Sequence, residues 1–134
     1  MGTNELTVEV TAPAAERARI ERLVRATLES EDRTLDRVSV SFVALGTMTR
    51  LNRKHRHRTG PTDVLSWPFD GSFPQGTGGE VVVCPEQADP APERTVDRLV
   101  VHGVLHLLGY EDETAAGLED MERRTDLILE RDDG

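Results

Sequence analysis

The chain has 134 residues, 37% of them hydrophobic and 31% charged, with one cysteine and a formal net charge of -9 at pH 7. This length and composition predict one globular domain, and they exclude a disordered chain, an internal disulfide and a membrane helix, which needs roughly 20 apolar residues. The lone cysteine, and a start that is not that of a signal peptide, predict a cytoplasmic protein without a membrane partner.

The first part of the chain predicts two strands with a helix between them. Residues 5–10 and 38–42 alternate apolar and polar side chains, as half-buried strands do. Pro13 is predicted to lie near the start of the intervening helix, where proline is tolerated. The buried stripe of this helix is predicted from residues at helical spacing: Ile20, Leu23, Val24, Thr27 and Leu28.

A second helix is predicted to carry most of the clustered positive charge. Thr47 is its expected N-cap and Gly60-Pro61 its expected end. Five permanent cations fall within nine residues: Arg50, Arg53, Lys54, Arg56 and Arg58. Acidic residues concentrate elsewhere, in 111–122 and 130–133, so this protein of net negative charge is expected to present a local basic surface that can meet phosphates. A solvated charged helix without a ligand is the alternative interpretation.

Two further strands are predicted on either side of a glycine-rich loop. Residues 64–69 predict a short strand, and the apolar run 81–84 predicts a buried central strand. Cys84 is expected to pack as a small apolar side chain rather than bind a metal. Trp67 is expected to pack at the edge of the core, with stacking on a nucleic-acid base as the alternative.

The last part of the chain predicts a buried helix and an amphipathic one. The proline-rich connector 85–92 is expected to lead into a helix that starts near residues 93–94 and ends at Gly109. A final helix is predicted over about residues 114–130, with these side chains facing the core: Leu118, Met121, Leu127 and Ile128. Together the elements predict a single α+β domain over residues 1–134, a mixed four-stranded sheet packed with helices.

Two histidines within the buried helix predict a metal site. His102 and His106 are four residues apart, so their imidazoles lie on one helix face and can bind one ion. Gly109 allows the chain to reverse, which can bring Asp112 back over the pair as a third ligand. Two ordinary buried histidines bonded to the backbone are the alternative, but the whole pattern favours the metal.

Blocks of this sequence resemble the YbeY family of endoribonucleases and rRNA maturation factors. Residues 102–110 are similar to its H-G-x-L-H-L-x-G-Y signature, and residues 51–68 to its L-N-x-x-Y-R…P-T-D-V-L-S-F-P block. Residues 79–84 resemble its G-D-I-x-I-C strand. The order of helices and strands also agrees, so the resemblance covers about residues 5–130.

The resemblance implies a fold, an activity and a set of site residues. It implies an α+β fold with a zinc-like site and metal-dependent RNA hydrolysis in small-subunit rRNA maturation and ribosome quality control. Two of the family's three histidine ligands fall on His102 and His106, and its conserved arginine falls on Arg56. Residues 61–63 are implied to border the cleft.

Position 112 departs from the family, because its third histidine is Asp112 here. Two histidines and one carboxylate form a standard catalytic zinc set, so we predict Asp112 as the third ligand of one zinc ion. Glu111 as the ligand, or no third protein ligand, is the alternative. His55 replaces the family's tyrosine, and it is expected with His57 to be solvated or stacked, His57 remaining a spare ligand candidate.

The predicted function is metal-assisted hydrolysis of RNA phosphodiesters, with small-subunit rRNA and ribosomal components as partners. Arg56 is predicted to be catalytic, because its planar guanidinium can hold a non-bridging phosphate oxygen. Neighbouring cations are predicted to position the RNA backbone without reading its sequence: Arg53, Lys54 and Arg58. Asp63 is predicted either to orient the cleft loop or to hydrogen-bond a ligand histidine.

Two other functions fit parts of the pattern. The H-x-x-x-H-x-x-G spacing predicts a metzincin-like metal helix, but metalloproteases of that type have a glutamate base where this chain has Gly103. A non-catalytic ribosome-binding factor that has lost full metal binding would keep the basic helix. Metal content separates that factor from the enzyme.

Overall fold

The computed structural model describes residues 5–70, 76–88 and 95–133. Its strands and α-helices follow in this order: β1 (Thr7–Thr11), α1 (Ala14–Ser30), β2 (Arg37–Phe42), α2 (Leu45–Arg56), β3 (Val64–Pro68), β4 (Gly78–Val83), α3 (Val96–Leu107) and α4 (Ala115–Asp133). A short 3₁₀ turn, Pro85–Gln87, follows β4.

The four strands form one mixed sheet in the order β1-β2-β4-β3. β1, β2 and β4 run parallel, and β3 pairs antiparallel with β4. The interior position of β4 confirms the predicted central strand. Its apolar run is continuous because both faces of the sheet are covered: Val81 and Val83 pack on one face, and Val82 packs on the other. The α+β prediction is therefore confirmed.

Helices cover the sheet unequally. α1, α3 and α4 pack together over one face, where the predicted stripe of α1 is buried as expected. α2 alone covers the other face and buries Met48 against Leu65, Val82 and Cys84. Cys84 is fully buried in this smaller cluster and is not part of any group of potential ligands among the described residues.

Two predicted core residues of α4 are wrong. Leu118 and Leu127 are 39% and 48% exposed, whereas Met121 and Ile128 are buried. Leu127 lies about 100° around the helix from Ile128, so a helix that packs along one stripe leaves it in solvent. Leu118 lies near the start of α4 and borders a hollow beside the predicted metal ligands instead of entering the core.

The predicted limits of α2 are also wrong. The helix begins at Leu45, where the carboxylate of Glu86 accepts a hydrogen bond from the Leu45 backbone N–H at 3.4 Å. A carboxylate from a distant segment thus accepts a hydrogen bond at the N-terminus of α2, and Thr47 lies inside the first turn. The helix ends at Arg56, before the predicted Gly60-Pro61, because His57 takes the left-handed conformation with φ 56°.

α3 begins at Val96, where the hydroxyl of Thr95 accepts a hydrogen bond from the Arg98 N–H. The predicted start near residues 93–94 lies outside the described residues, as do 89–92 of the predicted connector. Gly109, with φ 102°, directly follows the helix end, as predicted. Among the helices of the described ranges, none is both long and apolar enough to span a membrane.

Candidate metal centre and cleft

A cleft of about 480 Å³ opens at the β3 edge of the sheet. One wall is formed by α3 and the loop that follows it, which contribute His102, His106 and Asp112. The other wall is the last turn of α2, which contributes His55 and Arg56. Strand β3 and the residues before it form the floor between the walls. The two sequence blocks that carried the family resemblance therefore face each other across one cavity.

Three potential ligand atoms converge on the α3 wall. The Nε2 atoms of His102 and His106 are 3.0 Å apart, and Oδ2 of Asp112 lies 3.1 Å from the first and 3.4 Å from the second. Ligands about 2.0–2.1 Å from a tetrahedral zinc ion are separated from one another by about 3.3–3.4 Å. The donor set and its spacing therefore fit one small divalent ion. Glu111 lines the cleft but is not part of this convergent group.

The second histidine is held in the tautomer that a metal requires. Nδ1 of His106 lies 2.9 Å from the backbone carbonyl of Tyr110. Because a carbonyl only accepts, Nδ1 carries the proton and donates it, which leaves Nε2 with an available lone pair. The same bond ties the loop after α3 to the helix.

The protonation states of the group also suit a cation. Burial lowers the pKa of His102, and the neighbouring His106 lowers it further, so the imidazole favours its neutral form. Burial raises the pKa of Asp112, but His106 and His102 together outweigh this and leave the pKa below its ordinary value. Neutral imidazoles and an ionised carboxylate are the forms that bind metal.

Gly103, between the two histidines, lets α3 lie directly on the sheet. A Cβ at this position would come within 2.5 Å of Cγ1 of Val81 on β4. The residue is buried and faces away from the cleft. A glutamate base at position 103, as metalloproteases of the H-E-x-x-H type have, would have no room and would point into the core.

A partly buried network that the sequence did not reveal anchors the loop. The Glu31 side chain is only 6% exposed and accepts hydrogen bonds from the Tyr110 hydroxyl at 2.5 Å and from Nη1 of Arg124 at 2.8 Å. The Arg124 guanidinium also lies over the Tyr110 ring, 4.5 Å from its centroid. Glu31 and Arg124 thus fix the residue whose carbonyl orients His106. Their separations from one another along the chain left no local signal for this contact.

The predicted catalytic residue Arg56 lines the cleft beside the histidines, whereas none of the predicted RNA-binding cations does. Arg58 lines an adjoining hollow with Arg56, and Arg53 and Lys54 lie exposed on α2 outside both. Within the described ranges, none of these four side chains is paired with a carboxylate. Seven arginines elsewhere do have carboxylate partners: Arg19, Arg22, Arg25, Arg37, Arg98, Arg123 and Arg124.

The remaining predicted site residues lie around the floor. The carboxylate of Asp63 accepts a hydrogen bond from the Val64 N–H at 2.8 Å, which supports its predicted role in orienting the cleft loop. Asn52, to which the sequence analysis gave no role, is buried and donates to the carbonyl of Gly60 at 2.9 Å, fixing the turn that leads to this loop. His55 stacks on Trp67, and His57 does not line the cleft.

The chain is similar to known proteins over most of its length. The family described as Endoribonuclease YbeY matches residues 3–132. The chain is 34% identical to Endoribonuclease YbeY of Protochlamydia amoebophila, over 71% of this chain and 69% of that protein, and 36% identical to that of Thermobifida fusca, over 72% and 73%.

A solved structure shares the fold. The solution structure of a protein from Thermotoga maritima matches with a TM-score of 0.58 at 21% identity, covering 95% of this chain and 91% of that one. At this identity the likeness concerns the fold alone. The family match and the sequence identities carry the assignment: the chain belongs to the YbeY endoribonuclease family.

Proposed function

We propose that this protein is a metal-dependent endoribonuclease that hydrolyses RNA phosphodiesters during rRNA maturation, with His102, His106 and Asp112 holding one zinc ion. The observation that carries the proposal is the convergence of three ligand atoms within 3.4 Å in a cleft that Arg56 borders. Membership of an endoribonuclease family supports RNA as the substrate. Small-subunit rRNA, ribosomal components and a cytoplasmic setting complete the proposal.

The two walls of the cleft have different proposed roles. A bound zinc ion supplies Lewis acidity and lowers the pKa of a coordinated water. Asp112 contributes a negative charge where relatives have a neutral histidine, so we expect weaker Lewis acidity and a higher pKa of that water. Across the cleft, Arg56 holds a non-bridging phosphate oxygen through its planar guanidinium. Arg53, Lys54 and Arg58 attract the RNA backbone without reading its sequence.

The test is metal analysis of protein purified without an immobilised-metal column, followed by RNA cleavage assays. We expect about one zinc per chain, in line with a three-ligand catalytic site, and its loss in both His106→Ala and Asp112→Ala. His57→Asn is the matched control, because it removes a histidine that lies outside the cleft and keeps a residue type that tolerates the left-handed conformation there. A folded parent protein that binds no metal would contradict the proposal.

A second function is favoured by two specific features. The α2 cations have no carboxylate partners among the described residues, and the third histidine of the family is absent. Both features suit a ribosome-binding factor that no longer cleaves RNA. That factor would bind rRNA without metal, and its binding would be unchanged in His106→Ala.

A further inference from the structure

An aromatic pair lines the cleft, with one ring on the α2 wall and the other on the β3 floor. The imidazole of His55 lies parallel to the indole of Trp67, with 4.2 Å between ring centroids and 11° between planes. His55 belongs to the last turn of α2 and Trp67 to β3. The stack therefore bridges two elements that form the cleft.

The stack is anchored at one end and open at the other. Trp67 is half-buried and packs against the smaller core cluster under α2. His55 is exposed, and within the described ranges its imidazole has no hydrogen-bond or ion-pair partner. One face of the imidazole lies on Trp67, the indole leaves its other face uncovered, and both side chains line the cavity.

The charged residues near the stack indicate which class of ligand would bind there. Arg56 follows His55 directly and lines the same cavity. Arg58 lines the adjoining hollow, Arg53 and Lys54 are exposed on α2, and none of these cations has a carboxylate partner in the part of the chain that the structure describes. A flat ring beside several uncompensated cations matches a nucleotide, which carries a π face and a phosphate on one unit. A peptide would require neither feature.

We propose that His55 and Trp67 form a stacking platform for one unpaired RNA base whose neighbouring phosphate meets Arg56. The proposal rests on the proposed function, since it takes RNA as the ligand of the cleft, and it deepens it by naming two residues that would hold a base there. A base within a duplex stacks on its neighbours and cannot present its face to the protein, whereas an unpaired base can. Every base has a π face, so the pair would position the RNA without reading its sequence.

Trp67 makes the platform directly observable, because it is the only tryptophan of the chain. The full-length protein is titrated with a short single-stranded oligoadenylate and, separately, with an RNA duplex of equal length. Tryptophan emission reports the stack and the anisotropy of end-labelled RNA reports affinity. The RNA is recovered afterwards to check that it is intact. We expect saturable quenching by the single strand and binding of the duplex at least about 10-fold weaker.

Variants separate stacking from charge. His55→Ala is expected to bind the single strand about 5- to 100-fold more weakly, whereas His55→Tyr retains the affinity because it restores a ring. His57→Asn is the control and should bind as the parent does, because it removes an imidazole that does not line the cleft and keeps a residue type that tolerates the left-handed conformation. Equal binding of single strand and duplex, unchanged affinity of His55→Ala, or equal competition by an acidic peptide would overturn the platform.

The outcome is separable from that of the proposed function. Metal content and cleavage are measured on the same preparations. His55-dependent binding of the single strand by a protein without metal would support the platform and contradict the catalytic proposal. Metal-dependent cleavage, with RNA binding that does not depend on His55, would support the catalytic proposal and contradict the platform.

Discussion

The two walls of the cleft differ in how firmly their side chains are held. On the α3 wall, the side chains of His102 and His106 are only 22% and 25% exposed, and each has a hydrogen-bond partner. On the α2 wall, His55 and Arg56 are exposed, and the ring stack is the one contact described for either side chain. A metal site needs ligands held to a fraction of an ångström, whereas a flexible polynucleotide tolerates adaptable contacts. The difference in rigidity therefore follows the difference in proposed chemistry.

The largest effect on stability is expected from one methyl group added to α3, the helix that carries the two histidines. Gly103→Ala would place a Cβ 2.5 Å from Val81 and push α3 off the sheet, so we expect the free energy of unfolding to fall by about 3 kcal/mol, with loss of metal binding. Gly46→Ala on α2 is the matched control. Its Cβ meets nothing closer than 3.9 Å, so alanine should stabilise the helix by about 0.5–1 kcal/mol. Urea unfolding of both variants checks this, and equal effects would contradict the comparison.

A smaller effect is expected from breaking the partly buried network that anchors the loop after α3. Arg124→Ala leaves the Glu31 carboxylate without its charged partner, and because the arginine is itself 35% exposed we expect a loss of about 2 kcal/mol, less than for a fully buried pair. Zinc affinity should fall about 10-fold, since Tyr110 and the loop are no longer held. Arg123→Ala, at the neighbouring exposed position, should change stability by less than about 0.5 kcal/mol. Unfolding and chelator competition measure both, and similar losses in the two variants would show that the network does not support the site.

The same network predicts a pH dependence. The hydrogen bond to Glu31 raises the pKa of Tyr110, with burial adding to it. A phenol whose pKa is higher in the folded state contributes stability that is present below its unfolded pKa of about 10 and is lost as the pH rises through the folded pKa. Because Tyr110 is the only tyrosine, ultraviolet titration reads its pKa directly. Glu31→Gln should lower that pKa, and an unchanged titration would mean that the bond does not persist in solution.

The smallest effect on stability is expected on the exposed wall. Lys54→Ala should leave the free energy of unfolding within about 0.5 kcal/mol of the parent value, because the side chain is exposed. If it contacts one phosphate, the slope of log affinity for single-stranded RNA against log salt should become shallower by about 0.7. Binding isotherms at several salt concentrations measure this slope. Lys54→Arg, which keeps the charge, is the control and should retain it.

Local patterns predicted most of the elements and the metal helix. The i, i+4 spacing of His102 and His106 follows from helix geometry alone, and a glycine at position 109 permits the reversal that brings Asp112 to them. Alternation located the first two strands, and the short segments 64–69 and 81–84, the second a continuous apolar run, located the other two. The prediction of Thr47 as the N-cap of α2 was wrong, because the Glu86 carboxylate, from beyond β4, accepts the hydrogen bond at the start of this helix. Local sequence cannot indicate such a contact.

By itself, the sequence determined the family, the α+β class and the residue types of the candidate site, because these depend on composition, spacing and short motifs. Only the tertiary structure decided which residues meet. Glu31 joins Tyr110 and Arg124 from 79 and 93 positions away along the chain, and His55 joins Trp67 from another element. Such contacts arise from how helices pack on the sheet, and packing depends on shape across the whole core, which no local pattern encodes.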